Sequence, residues 1–374
     1  MTKKNRLTIE RTPKRVELMK LMASDDRSVA YSAQVAFAGF LRDYVHRLLD
    51  QLPTVTMIYS DVPIGKGDKP TIPIDPYLNY HAGEFRIWSQ THAGGLPTQT
   101  TQGLTEYPFV FYPLDSALSL DKDYVEDARL DLMARAINRV VQEFVAKMEV
   151  NGWNPILSAL AAGTGLTPGQ SDTGYNHCIA ANTSGTFAIG DLNNLILRNA
   201  RLYQSFAGGS IAGDYGVTDI FVSPEVMSNI RGFVYNPLNT VNGTPSDGSN
   251  HAGNIALPDN VREDIYRGAG VASLFNVAIH ELRELGANRK FAQIFGNYST
   301  GTPSFSAATN DLVLGFDLNQ DVFLRPVLTD EAGGKLVTKV DDQFYTRSEK
   351  IGWYMKMKEN RTVLDNRPLT AIIV

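Results

Sequence analysis

The longest periodic run of apolar positions lies between Asp121 and Gly152. Val125, Ala128, Leu132, Ala136, Val140, Phe144 and Met148 recur at steps of three and four, the spacing of one helix face. Met133, Ile137, Val141 and Val145 widen that face, while Glu126, Arg129, Asp131, Arg135, Arg139, Gln142 and Lys147 take the other. Ser119 or Asp121 is placed to cap the start, and Asn151-Gly152 followed by Asn154-Pro155 is a sequence that ends helices. The pattern predicts a single helix over 121–152, roughly 45 Å long at 1.5 Å per residue. Its predicted buried stripe is Val125, Leu132, Ala136, Val140 and Phe144.

A second helical period runs from Ser28 to Leu52, with Val29, Ala33, Ala36, Phe40, Tyr44 and Leu48 on one side and Pro53 closing it. From Thr54 to Pro113 proline and glycine are dense, with short strand-like pieces between them: Thr71–Ile74, Phe85–Trp88 and Tyr107–Tyr112. This predicts a long β-hairpin with little core of its own, and an isolated two-stranded ribbon is marginal in water. Phe85, Ile87 and Trp88 are therefore candidates for contact with another subunit. Further on, Leu157–Ala162 adds a helical turn, Gly163–Gly174 is a loop and Asp191–Ala207 a helix. Val217–Val222 is a strand, and Ser223-Pro-Glu starts a helix with Ser as N-cap and Pro at the first position. Tyr235–Asn260 is a polar, turn-rich loop, and Val271–Leu285 and Leu312–Leu328 read as strands of the same domain. Near the end Ile351, Trp353, Met355 and Met357 alternate with Gly352, Tyr354, Lys356 and Lys358, a strand with one buried face. After a turn at Asp365–Pro368, Thr370–Val374 is the last strand.

Composition adds bounds. With 374 residues, 43% hydrophobic and 20% charged, the chain is globular and long enough for two domains. A net charge of −5 is no nucleic-acid signature. The single cysteine, Cys178, excludes an internal disulfide framework and fits a reducing compartment. No apolar run is long enough to span a membrane, and the first residues lack the apolar stretch of a secretory signal. Charge changes the picture at the start, where residues 1–20 carry seven cations against Glu10 and Glu17 with few large apolar side chains. The expectation there is an arm that orders only against other subunits, with Arg6, Arg11 and Arg15 as contact candidates.

Basic arm, helix, extended β loop, long helix, α/β domain and closing strands follow one another in the order seen in a known family. With its helix Asp121–Gly152, its unit Asp219-Ile-Phe-Val-Ser-Pro-Glu-Val-Met and its close Arg347-Ser-Glu-Lys-Ile-Gly-Trp-Tyr-Met-Lys-Met-Lys…Val363-Leu-Asp-Asn-Arg-Pro-Leu-Thr-Ala-Ile-Ile-Val, the chain resembles the major capsid protein of tailed bacteriophages. The resemblance implies an α+β, Hong Kong 97-type (Johnson) fold. Its parts are an N-terminal arm (1–27), a peripheral-domain helix (28–53), an extended β loop (54–113), a spine helix of the peripheral domain (114–155), an axial domain (156–338) and peripheral-domain C-terminal strands (339–374). It implies a structural, non-enzymatic protomer that self-assembles as pentamers and hexamers into an icosahedral shell around double-stranded DNA, a virion component assembled in the bacterial host cytoplasm. No cofactor, metal or membrane is implied, and contact with packaged DNA is weak and non-specific. The scaffolding domain of some members has no counterpart before this arm, which implies either a separate scaffolding protein or assembly without one; a portal and a decoration protein are further candidate partners. The runner-up is an encapsulin-type nanocompartment shell around a cargo enzyme, whose members are shorter and have less extended loops.

Catalytic patterns are weak. His280-Glu-Leu-Arg-Glu284 lacks the second histidine of a zinc-protease motif. His177-Cys178 has no orienting acid, and Gly163–Gly169 lacks the lysine of a phosphate loop. Asp317–Asp321 lacks the glycine and glutamate of a calcium loop. Some capsid proteins join a loop lysine to a neighbour's asparagine; Lys66 and Lys69, with Asn360 and Asn366, are the corresponding residue types, common there by chance.

Overall fold

A computed structural model describes residues 12–51, 53–73, 106–163, 176–202, 216–232, 273–299, 301, 303–330, 334–341 and 349–374. The first half of the chain gives α1 (Pro13–Met22), α2 (Arg27–Gln51), β1 (Ser60–Ile64), β2 (Thr71–Pro73), β3 (Glu106–Pro108), β4 (Tyr112–Asp121), α3 (Lys122–Glu126) and α4 (Leu130–Ala162). Then come β5 (Cys178–Ala180), α5 (Ile189–Leu202), β6 (Asp219–Val222), α6 (Pro224–Gly232), β7 (Ser273–Leu274), β8 (Val277–Glu281) and α7 (Lys290–Tyr298). The chain closes with β9 (Leu312–Phe316), β10 (Phe323–Leu328), β11 (Leu336–Asp341), β12 (Lys350–Glu359), β13 (Thr362–Val363) and β14 (Leu369–Ile373). The α+β class is as the sequence predicts, and so is the order of helix, extended ribbon, long helix, α/β unit and closing strands.

The chain forms two compact units. The first takes its residues from Met1–Pro76, Glu84–Gly152 and Phe323–Thr362, the second from Tyr77–Gly83, Trp153–Val322 and Val363–Val374. In the first, β12 is the central rail: β4 pairs along one edge from Tyr112↔Glu359 to Asp121↔Lys350, and β11 along the other. Ile351, Trp353, Met355 and Met357 of β12 are all buried, as their alternation predicts. They pack in one core with Met19, Met22, Phe37, Leu41, Met133, Ile137, Val141 and Phe144 from α1, α2 and α4. The Trp353 ring lies 5.0 Å from that of Phe37, and its indole N–H donates to the Gln34 carbonyl at 3.4 Å.

Among the described residues, the second unit is built on six strands in the order β5-β14-β9-β6-β8-β7. Alternate side chains of β6 face opposite ways: Ile220 and Val222 cluster with Leu192, Leu195, Val226 and Ile230, while Phe221 meets Trp153 at 5.3 Å. Trp153 also touches Phe291 and Phe316, so both faces of the sheet are covered. Ser223 caps α6 as its sequence predicts, its Oγ accepting the Val226 N–H at 3.1 Å.

Several expected boundaries need correction. The long helix does not begin at Asp121: β4 runs through that residue, and α3 makes a single short helix after it. Ala128, at φ 49°, ends α3 in a Schellman motif, Arg129 N–H reaching Tyr124 O and Ala128 N–H reaching Val125 O. The long helix starts afresh at Leu130, so the phase of Val125 does not carry into it. Val125 is buried, but on α3; Leu132 is 37% exposed, and Ala136 and Val140 are half-buried. The buried stripe is Met133, Ile137, Val141, Phe144 and Met148. The helix also ignores its expected stop and runs to Ala162 through Gly152 and Pro155. Burial explains this: Trp153, Ile156, Leu157 and Leu160 are fully buried, which outweighs the hydrogen bond Pro155 cannot make.

On α2 the true inward face is Ala30, Ala33, Phe37, Leu41, Val45 and Leu48, and the expected Phe40 is 46% exposed. Within the span expected to be an arm, Pro13–Met22 is a helix whose Met19 and Met22 join the first core. Domain limits shift as well. β10 belongs to the first unit, not to the central domain, because it pairs with β1. β14 belongs to the second unit rather than closing the first; it is buried on both faces between β5 and β9. Within the expected strand region 271–285, Ser273–Leu274 and Val277–Glu281 form a hairpin, and α7 has no counterpart in the sequence reading.

Candidate assembly surfaces

A turn at Gly65–Asp68, with Gly67 at φ 104°, redirects the chain from β1 into the expected extended loop. At the loop's stem β2 and β3 form a two-stranded sheet of their own, with Thr71 opposite Pro108, Ile72 opposite Tyr107 and Pro73 opposite Glu106. Neither Pro73 nor Pro108 carries an N–H, so these strands are unsuited to the middle of a larger sheet. The stem is closed by Phe109 N–H donating to Pro70 O at 2.8 Å, by the Tyr107–Phe109 edge contact and by the Lys69–Glu106 ion pair. Lys69 holds the Glu106 carboxyl below its usual range. All three residues of β3 are exposed, and Val110 beside it is 76% exposed.

The root of the ribbon is anchored by buried charge. β1 pairs in parallel with β10, which places Arg325 directly opposite Asp61. Arg325 donates to Glu359 at 2.8 Å and to Asp61 at 3.3 Å, and Lys335 also contacts Asp61. Glu359 takes a second guanidinium, Arg361, at 3.4 Å. Arg361 lies 5.2 Å from the centre of the Tyr59 ring, a cation–π contact, and the Tyr59 hydroxyl donates to Gly152 O at 2.9 Å. Arg325, Glu359 and Arg361 are essentially excluded from solvent, where losing one partner of a buried ion pair costs about 3–5 kcal/mol. No local pattern marks this cluster, whose members are scattered from Asp61 to Arg361.

Of the predicted contact residues, Arg6, Arg11, Phe85, Ile87 and Trp88 lie outside the described residues, as does the loop Tyr235–Asn260. Arg15 is exposed on α1. Lys69 is engaged with Glu106, and Asn360 accepts the Arg361 N–H through its side chain at 2.7 Å.

The residues of the catalytic patterns have structural partners. His280 Nε2 meets Asp219 at 2.7 Å across the β6–β8 pair and stacks on Phe221; Glu284 lies in the turn beyond the strand. His177 is buried with Nδ1–H donating to Leu369 O at 2.8 Å, and burial holds its imidazole below the usual range. Cys178 opens β5, and burial pushes its thiol up, away from a reactive thiolate. Asp317 accepts from the backbone N–H groups of Gly216 and Asn319. Among the described residues no group of three or more His, Cys, Asp or Glu is placed to hold a metal, and no helix is long and apolar enough to cross a membrane.

No family model and no curated protein matches the chain. The similarity lies among solved structures. One is titled as the capsid of an empty GTA particle, 11% identical, with a TM-score of 0.47, covering 86% of this chain and 89% of that one. Another, from Microbacterium phage Oxtober96, is 12% identical with a TM-score of 0.45 and covers 86% and 90%. A third, the SrpI encapsulin complex from Synechococcus elongatus, is 12% identical with a TM-score of 0.40 and covers 72% and 74%.

Proposed function

We propose that this chain is a structural shell protomer, a major capsid protein that self-assembles as pentamers and hexamers around a double-stranded DNA genome. The observation that carries the reading is the ribbon stem. β2 and β3 pair only with each other among the described strands, and all three residues of β3 are exposed. Such a ribbon is marginal by itself, yet β1 at its root is fixed by a buried ion cluster. A rigid root with an unsupported ribbon is suited to lying on a neighbouring subunit, where many weak head-to-tail contacts close into a shell. A mildly negative protomer also suits a shell that does not grip its nucleic acid.

Hydrogen exchange on dispersed and assembled protein tests this. The loop beyond its stem, residues 74–103, should exchange fast in the protomer and slowly in the particle, and Trp88→Ala should weaken the particle while sparing the protomer's melting temperature. Strong protection in the dispersed protein, or a variant protomer that melts much lower while its particles stay intact, contradicts the reading. Nuclease-resistant DNA inside the particles supports the capsid; particles that enclose an enzyme and no DNA point to a nanocompartment.

A further inference from the structure

Among the described strands of the second unit, β5 and β7 lie at opposite edges of the sheet. On β5, His177 O and Ala181 N–H bond to β14, so the alternating backbone groups of Cys178 and Ala180 face away from it; the Cys178 N–H donates to Asn176 Oδ1 at 3.0 Å. Beside this edge runs a groove of about 560 Å³. Its walls are Ile179 and Ala180 of β5 and the α5 stripe Asn194, Leu197, Arg198 and Arg201. Leu197 is 57% exposed, an apolar floor with guanidinium groups beside it.

The opposite edge presents what such a groove accepts. The β7–β8 hairpin turns through Phe275 and Asn276, both at positive φ (51° and 63°), the geometry of a type I′ turn. Asparagine suits that geometry; phenylalanine is strained in it. Phe275 is nonetheless 55% exposed at the tip. An exposed aromatic held in a strained conformation needs a compensating contact, and the described residues of its own chain do not cover it.

We propose that the β7–β8 hairpin of a second copy docks on the α5/β5 edge, with Phe275 seated in the groove. Apolar Leu197, Ile179 and Ala180 take the ring, and Arg198 and Arg201 lie at its face or rim, an arrangement guanidinium groups favour with aromatics. The outer edge of β7 then runs beside the outer edge of β5. Because the two surfaces are different parts of one chain, the contact is head-to-tail and repeats around a ring. This rests on the shell reading and assigns its ring contact to named residues.

Crosslinking tests it. Ser273 and Ala180 are both exposed at the two edges, and the native Cys178 is buried. Particles of the Ser273→Cys/Ala180→Cys variant, treated with a short bismaleimide, should give a ladder of multimers ending at the ring, with none from wild type. In parallel, Phe275→Ala should leave the dispersed protein's melting temperature unchanged or higher and raise the concentration needed for assembly about tenfold or more. Phe275→Tyr should restore assembly. Particles that give no ladder, or only dimers, overturn the ring contact and leave the shell reading standing. So does a Phe275→Ala protein that assembles as wild type does. A wild-type protein that never forms particles overturns both.

Discussion

Gly152 and Gly39 both sit inside helices, and the same substitution should have opposite effects at the two. A Cβ added at Gly152 lies 2.3 Å from Val55 Cγ1, 2.9 Å from its Cγ2 and 3.1 Å from Arg361 Nη1. Val55 is fully buried, and Arg361 is held by Glu359, so neither can yield easily. Overpacking of this kind costs about 1–3 kcal/mol, and the severity of the approach argues for the upper part of that range. Alanine regains about 1 kcal/mol of helix propensity over glycine. Gly152→Ala should therefore lose roughly 1–2 kcal/mol net. At Gly39 an added Cβ meets nothing within 4 Å, so Gly39→Ala should gain about 0.5–1 kcal/mol. Urea titration of the dispersed protein reads both. In a Val55→Ala background the loss at Gly152 should become a gain, a coupling of about 2–3 kcal/mol. A Gly152→Ala protein as stable as Gly39→Ala, or a loss that persists without the Val55 methyl groups, would refute the close approach.

Three further outcomes follow from the packing and charge. Ile137→Ala should cost about 2–5 kcal/mol in the same titration and Leu132→Ala less than about 1, the reverse order showing that the α4 face is wrongly phased. Glu359→Gln leaves Arg325 and Arg361 without their shared carboxylate and should lower stability by about 3–5 kcal/mol; an unchanged midpoint would mean that the cluster is solvated. His177 resists a proton in the folded state that the unfolded chain accepts near pH 6.5. Stability should thus be full above that pH and fall as pH drops below it, with a slope limited to about 1.4 kcal/mol per pH unit. His177→Asn should flatten this part of the profile, and an identical acid limb in the variant would assign it to other groups.

What could be read from the sequence was whatever local pattern controls. The alternation in β12, the Ser223-Pro224 cap of α6 and the stem strands of the proline-rich ribbon were all legible, because each depends on neighbours in the chain. The long helix was legible in kind but not in phase. A Schellman stop at Ala128 looks like an ordinary helical alanine, and Gly152-Pro155 looks like a stop when the burial of Trp153 and Leu157 is hidden. The buried ion cluster and the placement of β10 and β14 depend on pairings between distant segments, which no local periodicity encodes. Phe85, Ile87 and Trp88 stand out in the sequence as large apolar residues in a proline- and glycine-rich stretch, whereas the exposure of Phe275 shows only in the fold.

The proposed assembly of many copies of this chain into a closed shell underlies every surface assigned above. Electron microscopy of the purified, full-length protein tests it most directly. Closed particles of uniform size are expected, with pentamers and hexamers resolved and each subunit's extended loop lying on a neighbour. A protein that remains monomeric or forms only small, open oligomers over a wide range of concentration and salt, while its protomer is fully folded, would contradict it.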